Sequence, residues 1–241
     1  MIKNKKLIIF DLDGTLIDSV GIWNKIDERV IATLGGKLDE GIDIGKFRDK
    51  ALAEFSITSD PYSEYCGYLG KICGSDLSKQ EIKNLRYSIA EELLKDEVDY
   101  KPFAEQVIKY LYKKGLKLVI ASTTNEYTMD VYKSKNKNII AKAPIDKYFD
   151  NVFTKDFVRK LKPDPEVHIK IMENYNLKPE ECLIIEDSVI GVKAALAAEV
   201  EVVAMYDKYS DSSRDEIDKM ATYKFNNFEE LLGVMKEELG E

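Results

Sequence analysis

Short apolar runs that stop abruptly at polar residues recur along this chain. Leu7–Phe10 ends in Asp11-Leu12-Asp13-Gly14-Thr15, Leu116–Ala121 ends in Ser122, and Cys182–Ile185 ends in Glu186-Asp187. Glu201–Met205 and the weaker Asn151–Phe153 have the same character. Runs this short, rich in β-branched and aromatic residues, predict buried strands. Between them lie stretches with helical periodicity, such as 104–114, where Val107, Ile108 and Leu111 share a face and Gly115 closes the helix. Strand alternating with helix predicts a parallel α/β sheet.

Residues 19–95 break that alternation. Trp23–Leu34, Lys46–Phe55 and Lys79–Leu94 read as helices, the last opened by Ser78 as N-cap with Glu81 three residues on, and no convincing strand lies among them. The expected organisation is an α/β core split into residues 1–18 and 96–241, with an all-helical domain, 19–95, inserted after the first strand. Tyr62, Tyr65 and Tyr68 recur at a spacing that suits a packing stripe, and Lys46, Arg48 and Lys50 read as solvated cations, with a site for a second phosphate as the alternative. Near the end, Asn226 or Asn227 can cap a helix carrying Phe228, Leu231, Leu232 and Met235 on one face.

Composition narrows the choice of partners. With 241 residues, 44% hydrophobic and 33% charged, the chain has the make-up of an ordinary soluble protein with room for a real core. A formal net charge of −8 argues against nucleic acid or an anionic membrane as partner, since both call for a basic face. The apolar run behind Lys3, Lys5 and Lys6 is too short for a signal peptide or anchor, and no stretch approaches the roughly eighteen residues of a membrane span. Cys66, Cys73 and Cys182 form no CxxC pair, so reduced thiols in a cytoplasmic protein are expected. His168 is the only histidine, which excludes multi-histidine metal sites. It lies in an apparent helix with no nucleophile motif nearby, and a structural role is expected.

Parallel sheets bind ligands outside the carboxyl ends of their strands. The polar residues closing three strands should therefore meet, placing Asp11, Asp13, Ser122, Glu186 and Asp187 in one crevice. Carboxylates crowded at the edge of a core repel one another and lose hydration, so they persist only with a cation, a proton or both. An EF-hand loop also contains Asp-x-Asp, but it needs Gly at its sixth position and Glu at its twelfth, where this chain has Asp at position 11 followed by Gly14 in fourth place and Ile22 in twelfth. An acidic turn without chemistry is the bland alternative.

Taken in order, Asp11-Leu12-Asp13-Gly14-Thr15, Ser122 after its strand, Lys162-Pro163 before a helix and Glu186-Asp187 after another strand resemble the four motifs of the haloacid dehalogenase superfamily. The resemblance is to its phosphatase and β-phosphoglucomutase-like members. It implies a Rossmann-like, three-layer α/β/α core with an inserted helical cap. It also implies a Mg²⁺-dependent phosphatase acting on a small phosphorylated metabolite through an aspartyl phosphate. Under that resemblance Asp11 is the nucleophile, and Asp13, crowded by the other acids, protonates the leaving oxygen and later takes a proton from water. Ser122, Thr123 and Lys162 form the phosphate cradle. Mg²⁺ is held by Asp11, the main-chain carbonyl of Asp13 and Asp187, with Glu186 beside the ion or one layer behind it. Lys160 lies two residues earlier than Lys162 but lacks the following proline.

Other positions refine the picture. Gly14 allows a tight turn, and Gly191, Ala194, Ala195 and Ala198 would let a helix sit close to the sheet. Asp13 speaks against a dehalogenase. A β-phosphoglucomutase-like sugar phosphomutase is the alternative within the family, although such enzymes usually carry a histidine where this chain has Trp23 and a lysine where it has Asn125. A catalytically idle ligand binder on the same fold is the alternative of another class.

Overall fold

Six strands form one sheet in the computed structural model: β1 (Leu7–Phe10), β2 (Lys117–Ala121), β3 (Asn151–Phe153), β4 (Cys182–Glu186), β5 (Val202–Met205) and β6 (Tyr223–Phe225). The structure describes every residue except Leu38, Glu40, Ser56, Ile57 and Ser59. The strands are all parallel, in the order β3-β2-β1-β4-β5-β6. β1 therefore lies between β2 and β4, with Phe10 opposite both Ile120 and Ile185. All four of its side chains are fully buried, which is why the run shows no polar alternation: helices cover the sheet on both faces. Strand order reverses at β1, because β2 and β3 follow on one side and β4 to β6 on the other. A ligand crevice opens at such a switch point.

This is the α/β fold expected from the sequence. The added strand, β6, is short and only partly buried, so its apolar content is too low to register as a run. Helices flank the sheet, including Ala104–Lys113, Glu166–Tyr175, Val189–Ala197 and Phe228–Glu238. Asn227 caps the last of these by accepting a hydrogen bond from the Glu230 amide. The strands and these helices belong to a compact unit made of Met1–Ser19 and Val98–Glu241. The three cysteines are free thiols. Among the described residues, no helix is long and apolar enough to cross a membrane.

Val20–Glu97 forms a second compact unit of helices, α1 (Val20–Thr33), α2 (Ile44–Glu54), α3 (Pro61–Cys73) and α4 (Lys79–Asp96). Ser78 and Glu81 close a reciprocal capping box at the start of α4, as the sequence predicts. α3 has a proline in its first turn, an Asp60 cap and two glycines, Gly67 and Gly70, that dilute its helical signal. Tyr65 is fully buried, whereas Tyr62 and Tyr68 are partly exposed and Tyr68 stacks on Phe47.

Arg48 corrects one expectation. It is buried rather than solvated, while Lys46 and Lys50 are exposed. Ile44, Arg48 and Ala51 share the buried face of α2. Arg48 donates to Asp27 at 2.9 Å and Arg86 donates to the same carboxylate at 2.7 Å, so one buried acid is held by two guanidiniums. Arg86 also lies 4.8 Å from the centre of the Trp23 ring.

His168 is fully buried, and neither ring nitrogen has a hydrogen-bond partner among the described residues. Burial first, and then the positive charge of Lys162, push its pKa well below the ordinary histidine value. The folded protein thus keeps this imidazole neutral where the unfolded chain would protonate it, and stability is lost as pH falls below the unfolded value of about 6.5. Between pH 7.5 and 5.5 the group should cost the native state on the order of 1 kcal/mol. His168→Leu should abolish that component, so its urea midpoint falls less than the wild type's over this range. Parallel declines in the two proteins would contradict the assignment.

Candidate active site

Each acid at the crevice owes its place to a strand end. Asp11 follows β1, its amide donating to the Ile185 carbonyl of β4 at 2.9 Å. Glu186 is the last residue of β4 and Asp187 the next. Ser122 follows β2, its amide bonded to Phe153 of β3. Because β1 sits between β2 and β4, these residues gather although they are far apart in sequence.

Carboxylate oxygens of Asp11, Glu186 and Asp187 lie within 4.8 Å of one another, and all three residues are buried. Lys162 is buried among them. Its ammonium donates to Asp11 Oδ1 at 2.7 Å, to Glu186 Oε1 at 2.7 Å and to the carbonyl of Ala121 at 2.9 Å. Lys160 is instead exposed and pairs with Asp164, so of the two lysines it is Lys162 that reaches the crevice. Three carboxylates against one ammonium leave a formal charge of −2 in a buried cluster.

The electrostatics follow from that imbalance. Burial pushes Asp11 well above the ordinary carboxylate range, opposed by Lys162 and reinforced by Glu186 and Asp187. Burial and then the negative charge of Glu186 push Asp187 up to about 7, against the Thr15 hydroxyl that donates to its Oδ1 at 2.6 Å. Burial alone would lower Lys162, but Asp11 and Glu186 outweigh it and hold the ammonium above its ordinary value. A divalent cation fits this arrangement: the donors are hard oxygens, no imidazole or thiolate lies among them, and the excess charge matches.

Two glycines shape the acidic floor. Gly14 has φ +88°, and a Cβ there would come within 2.7 Å of Asp187 Oδ2. Gly191 does more than bring a helix close to the sheet, because a Cβ there would fall 1.7 Å from Glu186 Oε1. Glu186 Oε2 accepts from the amides of Asp187 and Ser188 and from the Ser188 hydroxyl, at 2.8, 3.0 and 3.0 Å. With Lys162 on its other oxygen, this carboxylate is held on every side.

Asp13 is not one of the three grouped acids, whereas the sequence suggested that the other acids would crowd its side chain. Its carboxylate is surrounded by hydroxyls: Oδ1 accepts from Ser19 at 2.6 Å and Tyr132 at 3.0 Å, and Oδ2 from Thr124 at 2.6 Å and Ser122 at 3.3 Å. Thr123, named from the sequence beside Ser122, is exposed, and it is Thr124 that turns inward. Asn125 caps the next helix by accepting from the Thr128 amide. The sequence reading missed Ser19, Thr124 and Tyr132. Only Ser19 carried a signal, its closeness to Asp13 in the chain.

A family model described as haloacid dehalogenase-like hydrolase matches residues 8–205. The chain is similar to the phosphorylated carbohydrates phosphatase of Thermotoga maritima, with 24% identity covering 80% of this chain and 82% of that protein. It is also similar to the fructose-1-phosphate phosphatase YqaB of Escherichia coli, with 22% identity covering 81% and 94%. Among solved structures, a Thermotoga maritima protein provisionally described as a beta-phosphoglucomutase superposes with a TM-score of 0.76 at 23% identity, covering 96% of this chain and 99% of that one.

Proposed function

This chain belongs to the haloacid dehalogenase-like hydrolases, and from that premise we propose that it is a Mg²⁺-dependent phosphomonoesterase. Its substrate is a small phosphorylated metabolite, with a phosphorylated carbohydrate favoured by the two relatives above. The observation that carries the reading is Asp11 at the end of β1, flanked by Glu186 and Asp187 and held through Oδ1 by Lys162.

Lys162 orients the Asp11 carboxylate by binding one oxygen and leaves Oδ2 as the nucleophile. Asp11 Oδ2 forms a bond to phosphorus while the bond from phosphorus to the leaving oxygen breaks. Asp13 gives its proton to that oxygen, so the products are an aspartyl phosphate, a free alcohol and the Asp13 carboxylate. In the second half, water attacks the phosphoryl group, Asp13 takes back a proton, and Asp11 is released with inorganic phosphate. Ser122 binds a phosphoryl oxygen, with Thr123 beside it at the exposed lip, and Lys162, whose three donors hold Asp11, Glu186 and the Ala121 carbonyl, completes the cradle through its positive charge. The ligands for the ion are Asp11, the main-chain carbonyl of Asp13 and Asp187, while Glu186, already saturated with donors, fixes Lys162 and the turn at Ser188. Bound there, Mg²⁺ would supply charge neutralisation for the carboxylates and the phosphoryl oxygens, removing the repulsion between nucleophile and substrate.

The test is release of inorganic phosphate from p-nitrophenyl phosphate and from a panel of sugar phosphates. Activity should vanish in EDTA and return with added Mg²⁺. Isomerisation of a sugar 1-phosphate primed with a bisphosphate, without net phosphate release, would replace the reading by a mutase. No turnover with Mg²⁺ bound would leave an idle binder.

A further inference from the structure

A carboxylate offers about four lone-pair positions to donors, and four hydroxyls converge on Asp13. Three of the hydrogen bonds are between 2.6 and 3.0 Å, and the fourth, from Ser122, is 3.3 Å. With the four positions filled, a leaving-group oxygen can reach Asp13 only where a donor gives way. Ser122 is the most weakly held. It is also the hydroxyl assigned above to the phosphoryl group. Substrate binding would therefore draw Ser122 towards phosphate and open one position on Oδ2.

What then keeps the rest of the carboxylate in place differs on its two oxygens. Thr124 retains the second position on Oδ2. Ser19 and Tyr132 hold Oδ1. Ser19 is as fully buried as Tyr132, but Tyr132 is unlike the other three donors in that its hydroxyl lies on the axis of a packed aromatic ring. A small hydroxyl can swing through a χ1 rotation, whereas a packed aromatic ring keeps its oxygen at a fixed distance from the backbone.

The backbone beneath it is unusual as well. Tyr132 stands in a π-helical turn, Val131–Lys135, that directly follows the helix Glu126–Asp130. Such turns are rare and insert a residue that re-aims the side chains after it, frequently at functional sites. Here the widened turn delivers a phenol to the carboxylate beside the nucleophile.

The geometry points to Tyr132 as a positioning residue for this reaction. It clamps Oδ1 of Asp13 so that Oδ2, vacated by Ser122, faces the leaving oxygen, with Thr124 as its partner on the other side. The inference rests on Asp13 being the acid of the proposed function. The position that Ser122 vacates is where Asp13 Oδ2 takes up a proton from water; in the step itself that proton passes from Asp13 Oδ2 to the leaving oxygen as its bond to phosphorus breaks, and Tyr132 keeps its own proton throughout.

Tyr132→Phe removes one oxygen and leaves the ring. The informative quantity is kcat/KM, which reports the steps through departure of the leaving group. With glycerol 2-phosphate, whose alkoxide needs a proton, kcat/KM should fall about tenfold, the equivalent of one hydrogen bond. With p-nitrophenyl phosphate, whose phenolate leaves without one, it should change less than about twofold. The Mg²⁺ activation midpoint should not move. Added to Asp13→Asn, Tyr132→Phe should cause no further loss on glycerol 2-phosphate, because its effect passes through Asp13. Equal losses on the two substrates, or losses that multiply with Asp13→Asn, would overturn the inference in favour of a packing role. If Asp13→Asn itself affects both substrates equally, it is the acid assignment that fails. Thr124→Val should show the same substrate selectivity and serves the test if Tyr132→Phe does not fold.

Discussion

Under the proposed covalent route Asp11→Asn should abolish turnover, with kcat falling by about 10⁴-fold or more, the scale of losing a covalent nucleophile. The amide keeps the shape of the side chain but not the charge that makes its oxygen attack phosphorus. The protein should remain folded, because the substitution removes one charge from a buried cluster in which burial already pushes Asp11 upward. The interaction with Lys162 persists through the amide oxygen, though weakened. Rapid quenching of the wild type during turnover should trap a phosphorylated chain by mass spectrometry, with the label on Asp11, and the variant should trap none. Activity within tenfold of wild type would rule out the covalent route.

Asp13→Asn should lower kcat/KM for alkyl phosphates by about 10²- to 10³-fold, the range of general acid catalysis. p-Nitrophenyl phosphate should lose far less in the same quantity. Its kcat should still fall, because the second half-reaction needs Asp13 as a base whatever group has left. The variant should therefore accumulate the aspartyl phosphate and show a burst of p-nitrophenol before a slow steady state. Loss of the same size with both substrates, and no burst, would remove Asp13 from proton transfer. The hydroxyls around it make the substitution informative, since each can donate to an amide oxygen or accept from an amide nitrogen without a charge being stranded.

The sheet and the meeting of the acids were legible for the same reason. A strand buried on both faces must be written as an unbroken apolar run, and its end is marked by the first polar residue. Leu7–Phe10 followed by Asp11, and Cys182–Ile185 followed by Glu186, carry that mark. Knowing that the strands are parallel is enough to place their ends together. Residues that reach the crevice from elsewhere leave no such mark. Thr123 and Thr124 are adjacent and chemically alike, and only the turn after β2 decides that the second faces Asp13. Tyr132 follows a short helix whose register the π turn disturbs, so a search for 3.6-residue periodicity loses it.

Arg48 is a different case. It shares the buried face of α2 with Ile44 and Ala51, whereas charge alone suggested that it was solvated. The buried Asp27 that binds it lies on α1, 21 residues away, and pattern within one helix cannot reveal a partner on another.

Leu7 pairs with both Lys117 and Cys182. During synthesis the segment that will become β1 leaves the ribosome long before either neighbour exists, and non-local pairing of this kind is slow to nucleate. An apolar tetrapeptide must wait for its partners until most of the polypeptide has been made. A partly translated chain that lacks Cys182–Asp187 lacks two of the three carboxylates of the acidic cluster, so the cluster is completed late and all at once.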